Sequence, residues 1–234
     1  MFGFGYTGII SSMKKVGGAA PSFSPTDLSG LKLWVDANDF VSAGAISQWN
    51  DKSGLNNHLI QGTGAAQPSV VLNVQNSKPI VRFDGVNDFF DLTASISSST
   101  DWTAVCVMKA FDASSNIAGL AYGGGESLYP ILQFGSSTYA SIAVGYISVV
   151  NSVTSFCSIT GTRSVNTLGL KKNNVALTTT FTSVTRAVGD ISVFGKVGTF
   201  PSKGDFAEAV FYNRVLTTQE MIDLNTYLVA KWAL

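Results

Sequence analysis

The sequence contains few of the residues that enzyme and metal sites use most often. Of its 234 residues only 13% are charged, two are cysteines and one, His58, is a histidine. A zinc site or a histidine-activated nucleophile needs partner residues that a single histidine lacks. His58 follows Asn56 and Asn57 in a polar loop. We interpret it as a solvated surface residue, with Asp36 or Asp51 as the residues available to orient it.

An excess of charge of either sign is also absent. Lys plus Arg and Asp plus Glu each number 15, so the formal net charge is zero. Such a chain has no long-range field to attract nucleic acid or an anionic membrane. The basic pairs Lys14-Lys15 and Lys171-Lys172 lack the interleaved aromatic residues of a nucleic-acid-binding stripe. We therefore expect no nucleic-acid partner.

Long hydrophobic runs are missing as well. The closest candidate, residues 142–150, has the length of a β-strand and not of a membrane span. The N-terminus lacks the basic region, the continuous apolar region and the cleavage site of a secretory signal. We expect no membrane span and no export signal in this sequence.

The two cysteines, Cys106 and Cys157, each lie inside an apolar run and outside any C-x-x-C motif. This placement predicts buried free thiols. A disulfide would require their strands to be neighbours in space, and the sequence leaves that pairing open.

What the sequence does contain is typical of β-structure. Hydrophobic residues make up 45% of the chain, and 23 glycines accompany many small polar residues. This composition suits many short strands joined by surface turns. Because 234 residues is an ordinary length for one sandwich, we predict a single core.

Residues 1–27 differ from the rest of the chain and are predicted to form an irregular N-terminal arm. Glycine alternates with aromatic residues at its start, and Gly17-Gly18, Pro21 and Pro25 interrupt any regular pattern. Two interpretations remain open: the arm's apolar residues anchor the chain on a partner, or they fold back on its own core. Alternating aromatic residues are typical of interface anchors, which favours the partner. The predicted anchors are Phe2, Phe4, Tyr6, Ile9 and Ile10.

The stretch over residues 79–92 reads as a β-hairpin. Residues 80–83 and 89–92 have extended patterns, and the link between them contains Asp84-Gly85 and Asn87-Asp88. Asp, Asn and Gly dominate tight turns for conformational reasons, which favours a plain turn. The alternative is that Asp84, Asn87 and Asp88 supply oxygen ligands to a hard cation or a sugar.

The end of the chain is predicted to be an α-helix. Thr217 and Glu220 have the spacing of a capping box, and Leu216 and Met221 that of a hydrophobic staple. The residues at helical spacing form an apolar stripe that should be buried on the sandwich. These residues are Met221, Leu224, Leu228 and Trp232.

Several of these motifs, in this order, resemble the concanavalin A-like, laminin-G-type domains. The resemblance rests on Leu33-Trp34-Val35-Asp36-Ala37, on residues 49–54 and 79–88, on the turn at Asn173-Asn174, and on residues 204–220. It covers residues 28–234 and implies an all-β fold. That fold is a two-sheet antiparallel jelly-roll sandwich with a C-terminal α-helix, preceded here by the arm over residues 1–27.

The resemblance also implies where ligands would bind. The family often binds calcium or glycans at one rim of the sandwich. Here Asp84, Asn87 and Asp88 would supply oxygens, and Trp49 or Tyr122 would stack on a sugar, with turn and core roles as the favoured alternative. Ca²⁺ is the one cofactor considered, and otherwise none is expected.

Glycoside hydrolases share this fold, but the glutamates do not support that activity. The chain has only Glu126, Glu208 and Glu220, without the closely spaced E-x-D-x-x-E pattern of the fold's glucanases. Glu220 is predicted to cap the helix, and Glu208 to satisfy a neighbouring backbone or arginine group. The Gly123-Gly124-Gly125 run lacks the features of a phosphate loop. We predict no catalytic residue and no enzymatic activity.

Taken together, the sequence favours a structural virion protein of a bacteriophage. A bare sandwich, an anchoring arm and no export signal suit a capsid decoration, head-fibre or tail-associated subunit that leaves the host by lysis. The expected partners are other capsid or tail proteins in a homo-oligomer or symmetric assembly. The alternative is a carbohydrate-binding module that attaches to a surface glycan. A module of a larger secreted polypeptide is less favoured, because the sequence starts with Met.

Overall fold

The computed structural model describes the chain from Phe23 onward with several gaps. The described residues are 23–97, 101–112, 115, 117–122, 129–130, 133–134, 140–142, 145–147, 153–165, 167–177, 190–197 and 200–234. They form an all-β sandwich with antiparallel sheets and an α-helix at the C-terminal end, as the sequence predicts. Most of the predicted N-terminal arm lies outside the described residues.

One of the two principal sheets, sheet A, includes the longest strands. Its order along the hydrogen-bonded path is β17-β16-β15-β8-β21-β6-β5-β2, and β1 pairs with β21. The strands are β1 (Leu31–Asp36), β2 (Gly44–Ala45), β5 (Ser69–Gln75), β6 (Lys78–Asp84), β8 (Trp102–Ala110), β15 (Cys157–Ser164), β16 (Thr167–Lys172), β17 (Val175–Ala176) and β21 (Lys203–Tyr212).

The opposing sheet, sheet B, has the order β11-β10-β18-β7-β4-β3. Its strands are β3 (Gln48–Trp49), β4 (Leu59–Ile60), β7 (Phe90–Ile96), β10 (Leu120–Tyr122), β11 (Tyr129–Pro130) and β18 (Ile191–Phe194). Two smaller sheets contain β9 (Ile117–Ala118), β12 (Gln133–Phe134), β13 (Ala140–Ile142) and β14 (Gly145–Ile147), and β19 (Lys196–Val197) with β20 (Phe200–Pro201). Short 3-10 helices cover Pro25–Asp27, Ala37–Asp39 and Gly64–Ala66.

Aromatic side chains fill the space between sheets A and B. Phe83 and Phe206 come from sheet A, and Trp49, Phe90 and Phe194 come from sheet B; all five are buried. The ring centroids of Phe194 and Phe206 lie 4.8 Å apart, and those of Phe83 and Phe90 lie 5.9 Å apart, both edge to face. Such contacts add to the stabilisation from the buried area, so this cluster holds the two sheets together.

The predicted hairpin over residues 79–92 is wrong. β6 pairs with β5 and β21 in sheet A, whereas β7 pairs with β4 and β18 in sheet B. The link between them crosses from one sheet to the other. A turn-rich link between two strands is equally compatible with a hairpin and with this crossover, because the choice depends on partners elsewhere in the chain.

The strand β1 is buried on both faces, although the alternation of Leu31, Leu33 and Val35 with Lys32, Trp34 and Asp36 indicates a single apolar face. Leu33 and Val35, which pair with Phe211 and Ala209 of β21, are fully buried, and Trp34 and Asp36 on the other face are buried too. The second face is covered by the helix α1 (Thr218–Trp232), which packs on the side of sheet A away from sheet B.

The helix itself agrees with the sequence in detail. The Thr217 hydroxyl accepts a hydrogen bond from the Glu220 amide, and the Glu220 carboxylate accepts one from the Thr217 amide. Leu216 is buried, as are all four residues of the predicted stripe, Met221, Leu224, Leu228 and Trp232. The turn at Asn173-Asn174 joins β16 to β17 with positive φ at both residues, which confirms that hairpin.

The cysteines are buried and free. Cys106 lies on β8 opposite Ile159, and Cys157 lies on the adjacent β15 opposite Met108, so the two thiols are not cross-strand partners. Among the described residues, no helix is both long and apolar enough to span a membrane.

Candidate functional site

A buried cluster of charged and aromatic residues joins α1 to sheet A. At its centre is Glu208 of β21, whose side chain is 1% exposed. One of its oxygens, Oε1, accepts hydrogen bonds from Trp34 Nε1 at 2.7 Å and from the Tyr227 hydroxyl at 2.9 Å. The other, Oε2, accepts from Lys231 Nζ at 2.8 Å and from Trp232 Nε1 at 2.6 Å. The carboxylate therefore has four side-chain donors.

A second carboxylate, Asp36 of β1, extends the cluster. Its Oδ2 accepts from Lys231 Nζ at 2.6 Å and from Lys52 Nζ at 3.1 Å. Lys52 also donates to Asp39 and lies 4.4 Å from the centroid of the Trp34 ring. Asp36, Glu208 and Lys231 are thus enclosed between the helix and the sheet. Lys52 lies at the edge of this cluster.

Position in the sheet explains why these residues meet. Asp36 on β1 faces Glu208 on β21 in register, so their side chains share one face of sheet A. Tyr227 and Lys231 are four residues apart on α1 and lie on one side of the helix. Burial raises the pKa of Glu208, and Asp36 adds to that effect, whereas Lys231 opposes it. Burial and Glu208 also raise the pKa of Tyr227.

This cluster is arranged as a structural connection. Glu208 is inaccessible, and both of its carboxylate oxygens accept hydrogen bonds from neighbouring side chains, so it is not placed to transfer a proton to a substrate. This agrees with its predicted role in satisfying a buried neighbour. The donors, however, are two indoles, a phenol and an ammonium instead of the expected backbone or arginine group. Glu220 forms a two-bond ion pair with Arg214, at 2.8 and 2.7 Å, beside its capping bonds. Glu126 lies outside the described residues.

A groove runs along the outer side of α1. It encloses about 520 Å³ and is lined mainly by apolar atoms. The lining residues are Phe23, Asp223, Thr226, Tyr227, Ala230 and Lys231. Its volume is within the range of small-molecule and peptide sites.

The start of the described chain forms one wall of this groove. The Phe23 ring lies 5.7 Å from the Tyr227 ring, centroid to centroid. Ser24 and Asp27 form a capping box within the next turn, and the Tyr212 hydroxyl holds this turn on the sandwich by donating to the Pro25 carbonyl at 2.9 Å. The chain therefore enters the domain on the helix side of sheet A.

The acidic link after β6 has the geometry of a turn. Asp84 Oδ1 accepts from the amides of Val86 at 2.7 Å and Asn87 at 3.4 Å, and Asp88 Oδ2 accepts from the Asp84 amide at 2.9 Å. Asp88 is buried, and burial raises the pKa of its carboxyl. The favoured turn interpretation accounts for these contacts. Among the described residues, no group of three or more His, Cys, Asp and Glu residues is placed to hold a metal ion.

Of the two aromatic residues considered as sugar platforms, Trp49 does not share a surface with this link. Trp49 is 1% exposed in the core, between Phe40, Phe90 and Phe194, so neither of its faces is available to a ligand. Tyr122 belongs to β10 of sheet B, and its side chain lies outside the described part of the chain. The predicted anchors Phe2, Phe4, Tyr6, Ile9 and Ile10 also lie outside it.

His58 is half-buried, and not a solvated surface residue. Its Nδ1 accepts a hydrogen bond from the Asp51 amide at 3.0 Å. The Asp51 carboxylate is occupied by the amides of Trp34, Ser53 and Asn57, which shape the loop after β3. His58 thus helps to fix this loop.

No family model matches the chain, and no curated protein matches its sequence. Solved structures do match its fold. A Trypanosoma rangeli sialidase in complex with sialic acid gives a TM-score of 0.54 at 13% identity over 87% of this chain and 33% of the sialidase. The receptor binding domain of botulinum neurotoxin D gives 0.56 at 12% identity over 88% of this chain and 54% of that one.

The chain therefore spans about a third of the sialidase and about half of the toxin chain. At these identities the similarity is evidence for the fold alone, and it agrees with the antiparallel sandwich. The narrower laminin-G-type family and the bacteriophage origin stay predictions.

Sequence reasoning missed both the cluster around Glu208 and the groove on α1. One signal was present in the sequence: Trp34 and Asp36 alternate with the apolar residues of β1, and a large aromatic residue at such a position suggests that this face of the strand is covered. No local pattern connects this face to Tyr227 and Lys231, which are distant in sequence.

Proposed function

We propose that the protein is a non-enzymatic attachment subunit, anchored by its N-terminal arm and displaying the sandwich. In this proposal it is a structural protein of a bacteriophage virion, as a capsid decoration, head-fibre or tail-associated subunit. The supporting observation is the position of Phe23 beside Tyr227 on α1. Because α1 covers one side of sheet A, the arm begins on the side opposite sheet B. A subunit held by its arm would then present sheet B outward.

The state of the glutamates supports a role without catalysis. Retaining and inverting glycosidases place two carboxyl groups across a substrate cleft. Glu208 is enclosed under α1, and Glu220 is paired with Arg214 at the start of that helix. Neither described glutamate is available for this chemistry.

The test is incorporation into particles. A variant lacking residues 1–22 keeps the Ser24–Asp27 capping box and the Tyr212 contact, and we expect it to fold and to remain outside the particle. The matched full-length control carries Val41→Ser, which changes a side chain that is 91% exposed on the sandwich. Particles that incorporate the truncated chain as well as the control would contradict the proposal.

A glycan-binding role is the second candidate. Its support is the fold similarity to a sialidase in complex with sialic acid and to a toxin's receptor binding domain. Trp49→Ala is unsuitable as a test, because it would open the core. Glycan-array binding should instead be compared between the wild type and Asn87→Ala at the exposed acidic link, with Val41→Ser as control. Binding that Asn87→Ala abolishes would favour this role.

We propose no resident cofactor. Calcium at Asp84, Asn87 and Asp88 is tested by isothermal titration and by the melting temperature with and without Ca²⁺. We expect neither heat nor a shift, because Asp84 Oδ1 and Asp88 Oδ2 already accept backbone hydrogen bonds. A saturable heat that Asp84→Asn removes would establish a calcium site.

A further inference from the structure

We propose that Arg163 and Trp102 together bind a small monovalent anion, with chloride as the expected ion, on the side of sheet A that faces sheet B. The role of this ion is structural, because it would neutralise a cation inside the sandwich. The inference goes beyond the proposed function, since it concerns the stability of the domain and not its attachment to a partner.

Arg163 is a cation on the inner face of sheet A. Ser158 and Thr160 of the same strand share a small cavity with Leu224 of α1, so they lie on the helix side of the sheet. Successive residues of a strand alternate between its faces, and β15 pairs with β8 without a register shift. Arg163 therefore lies on the face toward sheet B, where it is 5% exposed. A charge buried in this way requires a partner.

Trp102 places a second donor on the same face. It is the cross-strand partner of Arg163 on β8, and the side chains of such a pair are neighbours on one face of a sheet. Trp102 is fully buried, with its ring 6.3 Å from that of Phe211, centroid to centroid. Arg163 Nη1 and Trp102 Nε1 are buried, and neither has a hydrogen-bond partner among the described residues. Because buried donors are rarely left unpaired, the two point to a shared acceptor.

The described carboxylates do not supply the counter-charge. Of the 15 acidic residues, only Glu126 lies outside the part of the chain that the structure describes. Asp101, next to Trp102, accepts a hydrogen bond from the Val165 amide at 2.8 Å, and no ion pair between Asp101 and Arg163 occurs among the described residues. The ion pairs that do occur there involve Lys52, Arg82, Lys203, Arg214 and Lys231.

The turn after β15 holds the guanidinium in position. Arg163 Nε donates to the Val165 carbonyl at 3.0 Å. Val165 has a φ of +51°, which is a rare conformation for a β-branched residue. Such strain persists only where the surrounding structure fixes it, and it is concentrated at functional sites. The turn therefore orients Arg163 without any contribution from the ion.

The chemistry of the two donors selects the ligand. Guanidinium and indole groups donate hydrogen bonds and accept none, so the ligand must be an acceptor. A water molecule could accept both hydrogen bonds but would leave the charge of Arg163 uncompensated, whereas one anion satisfies the donors and the charge. Leu168, the partner of Arg163 on β16, is buried as well, so this enclosed position suits a single small ion better than an organic acid.

The dependence of stability on chloride provides the test. Urea unfolding of the full chain is measured while sodium chloride replaces sodium gluconate at constant ionic strength. If one ion binds the folded state alone, the equilibrium constant of unfolding should fall about tenfold for each tenfold rise in chloride above the dissociation constant.

Three variants locate the ion. Arg163→Met should remove the chloride dependence. Trp102→Phe keeps an aromatic ring and removes the indole donor, so the dependence should begin at about tenfold higher chloride. Lys203→Met is the matched control, because it removes a cation whose side chain is 48% exposed, and it should keep the dependence of the wild type.

Three results would overturn the inference. Equal stability of the wild type in chloride and gluconate would mean that an ordered water satisfies the donors. An unchanged dependence in Arg163→Met would place the ion elsewhere, and an unchanged onset in Trp102→Phe decides the same point if Arg163→Met does not fold. A chloride dependence that appears only in Glu126→Gln would identify Glu126 as the counter-charge.

Discussion

Replacing Glu208 by glutamine is the sharpest perturbation of the cluster under α1. The change keeps the size of the side chain and removes one charge. It also converts one of two accepting oxygens into a donating NH₂ group. The wild-type carboxylate faces four donors, from Trp34, Tyr227, Lys231 and Trp232.

The expected loss follows from counting those donors. The best orientation of the amide keeps its oxygen toward Lys231 and Trp232 and lets the Tyr227 hydroxyl accept from the NH₂ group. The Trp34 indole then loses its acceptor, which costs about 1–3 kcal/mol. Lys231 loses one of two charged partners but keeps Asp36. Full loss of a buried partner costs about 3–5 kcal/mol, so we expect roughly 2–4 kcal/mol in total.

Urea denaturation at pH 7 measures this loss directly, and thermal melting should fall by roughly 5–15 °C for a chain of this size. Asp91→Asn is the matched control, because it removes an exposed carboxylate from β7. Its effect should stay within about 0.5 kcal/mol. Polysaccharide hydrolysis should be absent in the wild type and in both variants.

Two results would refute this reasoning. An unchanged free energy of unfolding in Glu208→Gln would mean that the four donors do not depend on the carboxylate. Hydrolysis in the wild type that Glu208→Gln abolishes, with stability preserved, would identify Glu208 as a catalytic acid and overturn the non-enzymatic proposal.

Three further predictions concern Glu220, the two cysteines and Gly195. Hydrogen bonding from Arg214 lowers the pKa of Glu220 to about 2, so the stabilisation by the Glu220 carboxylate is present above its unfolded pKa and is lost as the pH falls toward 2. The free energy of unfolding of Glu220→Gln should be about 1 kcal/mol below that of the wild type at pH 7. In urea titrations this difference should vanish near pH 2. Burial raises the pKa of Cys106 to about 12 and that of Cys157 to about 11. A thiol reagent at pH 8 should therefore label neither cysteine until urea unfolds the chain. Labelling of the native protein would contradict the burial of the thiols. Gly195 has a φ of +91°, and a Cβ at this position would collide with the Phe83 ring. Gly195→Ala should therefore lower the free energy of unfolding by about 2–4 kcal/mol. An unchanged melting temperature would show that the Phe83 ring can move.

The parts of the fold that depend on local pattern could be predicted from the sequence. The capping box of α1, its buried stripe and the Asn173-Asn174 turn each involve residues that are close together in the sequence. Here the chemistry of each residue sets the conformation without reference to the rest of the chain. The all-β class is indicated by the composition and implied by the resemblance to the concanavalin A-like domains.

The missed features depend on distant partners. The link after β6 was predicted as a hairpin, because nothing within residues 79–92 reports that β6 pairs with β21. Glu208 and Trp34 are 174 positions apart in sequence, so their hydrogen bond has no local signature. Trp49 illustrates the same difficulty, since a tryptophan suits a sugar platform and a core equally well until its neighbours are known.

The central position of β21 has a consequence for how the chain folds. β21 pairs with β8 on one side, and with β6 and then β1 on the other. These three strands leave an edge open until residues 203–212 have been synthesised, and open edges recruit strands from other chains. Long-range pairing of this kind is also slow to form. Recombinant yield should therefore improve under conditions that slow synthesis and keep nascent chains apart, such as lower growth temperature.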